Sequence, residues 1–114
     1  MLFHETPEIE AARSFLLQKW QERAAEMLQP KPETLAGACK FASLFAEAHF
    51  GGQQQGNWHH QFVLLDGAIL DLTGTHHPAD WYVHDRRFWH NPDHCRSLES
   101  CKPRVKRWLL EYRG

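Results

Sequence analysis

At 114 residues the chain can bury one hydrophobic core but not two, so a single domain over residues 1–114 with one site is expected. Thirteen Lys and Arg against 14 Asp and Glu leave a formal charge of −1 at pH 7, which removes any global electrostatic demand for a nucleic acid or an anionic membrane. No window approaches the ~18 consecutive apolar residues of a membrane span, and Met1-Leu-Phe-His-Glu-Thr-Pro7 has neither the basic nor the apolar region of a signal peptide.

Thr6-Pro7-Glu8 reads as a helix start, with Thr6 as N-cap, Pro7 at the first helical position and acid in the first turn. Ile9, Ala12, Leu16, Trp20, Ala24 and Met27 then form one apolar stripe, and Gln29-Pro-Lys-Pro32 ends it. A second helix over residues 39–50 carries Phe41, Leu44, Phe45 and Ala48 on one side, with Ala42 and Ala46 allowing close packing elsewhere, so it is expected to be buried. Gly51-Gly52 stops it, and residues 53–56 read as a short polar loop. A β-hairpin follows, from Gln61 to Leu65, through an Asp66-Gly67 turn, and on over residues 68–73. Residues 75–80 read as a loop, 81–84 as a further strand and 85–89 as one helical turn. Asn91-Pro92-Asp93 then opens a helix to about Cys101, where Pro103 kinks or restarts it. The sum is an α+β domain with helices packed on a small antiparallel sheet.

The hairpin assigns two side chains to each other by parity. A two-residue Asp66-Gly67 turn pairs Leu65 with Ala68 and Val63 with Leu70, which puts His60, Phe62, Asp71 and Thr73 on one face, expected to pack toward the core. His60 is then a diagonal neighbour of Asp71, roughly 7 Å away between β-carbons and within side-chain hydrogen-bonding reach, while His59 points the other way. A carboxylate fixes the tautomer of an imidazole and leaves its second nitrogen free to take a proton from a nucleophile. Cys39 is the candidate nucleophile: Gly37-Ala38 precede it and the helical apolar pattern follows it, so its thiol lies near a helix N-terminus, where backbone N–H groups favour thiolate.

The order Gly37-x-Cys39 at the head of an apolar helix, His60-x-Phe-Val in a strand, the Asp66-Gly67 turn and Asp71 in the next strand resembles the transglutaminase-like branch of the papain-like cysteine enzymes, over about residues 35–74. The resemblance implies a papain-like core, with Cys39 as nucleophile, His60 as general base and then acid, and Asp71 as the group that orients His60. The reaction it implies is acyl transfer from an amide of a protein or peptide, with water or an amine as acceptor: peptidase, amidase, glutamine deamidase or transglutaminase. No cofactor is implied. Two features depart from the family: the interval between Cys39 and His60 is short, and a glutamine run stands where relatives have an additional strand. The backbone N–H of Cys39 is the first candidate oxyanion donor, with Gln53, Gln54, Gln55, Asn57 and Trp58 as candidates for a second. The family also contains inactive members that serve as protein-binding modules, which is the alternative function.

Other features carry less. Nine histidines invite a metal reading, yet only His90-x₃-His94 has ligand spacing, and Pro92 between them marks a helix start, so no metal site is expected. Three cysteines are too few and odd in number for a disulfide framework, and Cys95 and Cys101 fall on different helix faces. This fits a cytoplasmic setting, although a domain exported as an effector would read the same way. Residues 84–114 hold eight Lys and Arg against four Asp and Glu, which reads as a solvated helix face, and the Glu-rich first helix argues against nucleic-acid binding. Trp20 and Trp108 are expected in the core; Trp58, Trp81 and Trp89 are candidates for a groove around Cys39.

Overall fold

The computed structural model describes all of residues 1–114. Four α-helices pack on a three-stranded antiparallel sheet: α1 (Pro7–Glu26), α2 (Cys39–Phe50), β1 (Gln53–Gly56), β2 (Gln61–Leu65), β3 (Ala68–Leu70), a 3₁₀ turn (Ala79–Tyr82), α3 (Arg86–Trp89) and α4 (Pro92–Arg113). The α+β architecture expected from the sequence is therefore present. No helix is long and apolar enough to cross a membrane.

Helix α1 begins as expected: the Thr6 hydroxyl accepts the Ile9 N–H at 3.2 Å, and Pro7 needs no partner for an N–H it lacks. Its buried side is Ile9, Ala12, Leu16 and Ala24, while Met27 lies beyond the last turn and is exposed. In α2, Ala42 and Ala46 are almost inaccessible and let the helix lie close against β2 and α4, and Phe45 fills the centre. The principal core joins Leu16, Phe45, Val63, Leu70, Leu72 and Trp108. Helix α4 runs unbroken past Pro103, where the sequence predicts a kink or restart. Proline removes one N–H from the helix ladder, but Cys101 on one side of it and Val105 and Trp108 on the other are all buried, so packing holds the helix through the defect.

The sheet order is β1-β2-β3. Residues 53–56, expected as a loop, form β1: Gln54 pairs with Val63 and Gln55 with Phe62. The glutamine run is thus a strand of the sheet rather than the loop expected. Composition hid it, because glutamine is neither β-branched nor apolar; what places it is Gly52, held at φ +97° with its α-carbon so close to β2 that a β-carbon would stand 2.6 Å from Val63. The hairpin has the expected register, Leu65 with Ala68 and Val63 with Leu70, and Asp66 and Gly67 both take positive φ, as a type I′ turn requires. β3 stops at Leu70, shorter than the expected 68–73, because the Asp71 carboxylate accepts the Thr73 N–H and turns the chain. Its free edge is covered by the N-terminal segment: the N–H groups of His4 and Ile69 donate to Ile69 and Leu2 carbonyls at 2.8 Å.

The two hairpin faces have different partners. Val63, Leu70 and Leu72 face the principal core, whereas Phe62 and Ile69 form a second, aromatic cluster with Tyr82 and Phe3. The face of His60 and Asp71 is therefore buried, but in this smaller cluster rather than beneath α2. Tyr82 belongs to a segment where residues 81–84 were expected as a strand. They form instead the end of the 3₁₀ turn and an extended link, since Asn57 takes the carbonyls of Trp81 and Val83 and leaves no sheet edge for them.

Candidate active site

His60 and Asp71 stand at the end of the hairpin remote from its turn, His60 just before β2 and Asp71 just after β3. His60 Nε2 lies 2.7 Å from Asp71 Oδ2, with 4 % of His60 and 3 % of Asp71 exposed. The parity argument thus selected the right histidine; His59 is exposed. Every lone-pair direction of the carboxylate is in use. Oδ2 also accepts the Tyr82 hydroxyl at 2.7 Å, and Oδ1 accepts the Thr73 N–H at 2.9 Å and the Thr73 hydroxyl at 2.7 Å. Arg13, reaching from α1, donates to the backbone carbonyls of Asp71 (2.8 Å) and Leu72 (3.2 Å) and so fixes the turn itself.

The electrostatics follow from these contacts. Burial opposes ionisation of Asp71, but the bonds and charge of His60, with Thr73 and Tyr82, outweigh it and hold the carboxyl below its usual range. Burial likewise opposes protonation of His60, and is outweighed by the bonds and charges of Asp71 and Cys39, which raise the imidazole to about 9. Burial and the Asp71 bond push the Tyr82 phenol upward, so it stays a donor.

Cys39 is the first residue of α2 and is half-buried. Gly37 takes φ +83° and swings the chain into the helix; Ala38, at the N-cap, offers no capping side chain, so the first-turn N–H groups are left for an anion at this end. The thiol is close enough to the His60 ring to act on its titration. With Nε2 committed to Asp71, it is Nδ1 of His60 that remains to exchange a proton with sulfur. Both residues line a cavity of about 310 Å³, together with Leu35, Gly37, His77 and Trp81.

The candidates for a second oxyanion donor lie elsewhere. Gln53 is exposed, and Gln54 turns to α2, bonding Ser43 and Glu47. Gln55 sits in β1 opposite Phe62, outside the cavity wall. Asn57 is fully occupied: its carbonyl oxygen accepts the N–H groups of His59 and His60, and its amide donates to Trp81 and Val83 carbonyls at 2.9 and 2.7 Å. It positions His60. Trp58 is 64 % exposed and packs its ring edge-to-face on Phe88. Among the tryptophans proposed for the groove only Trp81 lines it, stacked 5.0 Å from His77; Trp89 packs on His84 and His94.

Neither His77, one of the histidines weighed for a metal, nor Tyr82 was expected to serve Asp71. A buried carboxylate needs several donors, and the hydroxyl and imidazole groups between Asp71 and Tyr82 were the available signal. His60, Asp71 and His77 offer three potential metal-ligand atoms within 4.8 Å of one another. A cation there would have to break the 2.7 Å His60–Asp71 bond. It would also meet a proton on His77, because the Thr73 hydroxyl gives its single hydrogen to Asp71 and accepts from His77 Nε2 at 3.1 Å. Hydrogen bonding suits this donor set better than ligation does. His90 and His94 do not converge: His90 caps α3 and is exposed, and His94 is buried in α4 against Phe88.

No protein-family model, curated protein or solved structure matches the chain.

Proposed function

We propose that this protein is a cysteine-dependent acyl-transfer enzyme acting on an amide bond of a protein or peptide, with a core of the papain-like, transglutaminase-like type. One observation carries the reading: a buried imidazole held by a carboxylate through Nε2 lines one cavity together with a cysteine at a helix N-terminus. The Cys39 thiol gives its proton to His60 Nδ1, and the thiolate attacks the amide carbonyl carbon. The oxyanion is met by first-turn N–H groups of α2. His60 then passes its proton to the departing amine and a thioester remains on Cys39. Water or a second amine attacks the thioester, His60 takes the proton of the attacking group, and the thiolate leaves. Asp71 keeps His60 in the tautomer that makes both transfers possible.

The test is the rate of iodoacetamide alkylation at each cysteine, read peptide by peptide by mass spectrometry at pH 6.5. Cys39 should react at least about tenfold faster than Cys95, although Cys95 is exposed and Cys39 half-buried. His60→Ala should remove that advantage and His59→Ala should not. Equal rates at Cys39 and Cys95 would discard the catalytic reading in favour of an inactive, protein-binding domain.

A further inference from the structure

A second cavity, of about 470 Å³, opens on the other side of Cys39. Gly37 and Cys39 belong to the walls of both cavities, so the start of α2 forms the saddle between them. The two walls differ in chemistry. Arg23, Lys40 and Arg104 bring three cationic groups to the second, Ser97 and Ser100 bring two hydroxyls, and no Asp or Glu lines it. Arg104 is answered by Glu26 at 2.9 Å. Arg23 and Lys40 form no ion pair; Arg23 lies over the rings of Trp20 and Phe41, 4.8 and 5.1 Å from their centroids, and Glu26 reaches it only as a longer-range charge. Neither ring contact gives the guanidinium N–H groups a hydrogen-bond acceptor, so they remain able to donate to a carboxylate. Two unanswered cations beside a half-buried thiol make this side of the saddle an anion trap, whereas the His60 side is lined by imidazole, indole and aliphatic groups.

We propose that the second cavity is a subsite for a carboxylate of the substrate, an acidic side chain or the free C-terminus of a peptide, bound by Arg23 and Lys40 on the side of the scissile amide away from His60. This rests on Cys39 as the nucleophile. It makes the substrate class an acidic peptide rather than any exposed amide.

The test uses two reagents of nearly equal size, iodoacetate and iodoacetamide, which differ in carrying a carboxylate. The quantity read is their rate ratio at Cys39 divided by the same ratio at Cys95 in the same molecule. Two cations within a Debye length should raise this quotient about fivefold above one, and 0.5 M NaCl should bring it down. The Arg23→Gln/Lys40→Gln double variant should return it to about one; Lys40→Gln alone, which disturbs no ion pair, should lower it part of the way. A quotient of one in the wild type, or a raised quotient that the double variant retains, overturns the subsite. Because the quotient is defined whatever the absolute rate, it is independent of the iodoacetamide comparison above: slow alkylation of Cys39 with a raised quotient would sink the nucleophile and leave the anion site standing.

Discussion

Replacing Asp71 by Asn tests the arrangement most directly, because the carboxylate accepts four hydrogen bonds and an amide can accept on only one of its two atoms. If the amide oxygen faces His60 and Tyr82, the NH₂ group meets the Thr73 N–H, donor against donor. If the NH₂ group faces His60, the imidazole must present a bare Nε2 to it and carry its proton on Nδ1, the nitrogen that has to accept from Cys39. The first arrangement leaves buried donors unpaired at a cost of about 1–3 kcal/mol, and the second leaves Nδ1 unable to accept a proton. The charge effect is larger. His60 is raised from 6.5 to about 9 against the opposing effect of burial, which corresponds to about 3 kcal/mol at ~1.4 kcal/mol per unit. Without Asp71 only Cys39 remains to raise it. The imidazole pKa, followed by NMR of ¹³C-labelled histidine, should therefore fall by two units or more in Asp71→Asn, and by less in Cys39→Ser. Cys39 alkylation should slow by about 10²-fold or more, as misoriented bases generally do. A His60 pKa that stays above about 8 in Asp71→Asn would refute the assignment of Asp71 as its principal partner.

Further outcomes follow from the same geometry. Because the folded-state pKa of His60 is raised, the pair's stabilisation is complete below the unfolded value near 6.5 and fades as pH climbs toward 9; because that of Asp71 is lowered, it is also lost in acid. Urea midpoints should show this high-pH loss in the wild type and not in His60→Ala. His94 is 5 % exposed with neither ring nitrogen bonded, and burial lowers its pKa, so His94→Leu should be neutral or stabilising by about 1 kcal/mol at pH 8 and more so at pH 5.5; a loss above about 2 kcal/mol would contradict it. Gly52→Ala should cost more than about 2 kcal/mol in urea titrations, since the new methyl would meet Val63 at a backbone angle that L-residues avoid; a midpoint within error of the wild type would show that β1 can shift away. Arg13→Gln should leave the unfolding free energy from urea titrations within about 2 kcal/mol of the wild type but slow Cys39 alkylation, because it frees the carbonyls of Asp71 and Leu72; unchanged alkylation would show the turn holds itself.

What could be read from the sequence depended on whether a residue's partner was local. The hairpin was legible because Asp66-Gly67 fixes a turn type, the turn fixes the register and the register fixes which of two adjacent histidines meets Asp71. The starts of α1 and α4 were legible for the same reason, each cap lying within three residues of its donor. β1 was not: three glutamines carry no strand signal, and only the pairing with β2 makes them one. The 3₁₀ turn was not, because Asn57, more than twenty residues earlier in the chain, takes its carbonyls. The second cavity was invisible in principle, since Arg23, Lys40 and Arg104 come from three helices and nothing in their spacing says that they meet.

Asn57 has one more implication. Its carbonyl oxygen holds the backbone of His60, and its amide holds the carbonyls of the segment that carries Trp81 and Tyr82. Four bonds to one side chain weld the floor of the site to its far wall, so the two cannot drift independently. In hydrogen-exchange experiments they should open as a single unit, with the amides of His59 and His60 losing protection together with the 79–83 segment. The other bank, around Gly37, where the chain enters α2 and both cavities meet, makes no bond to Asn57.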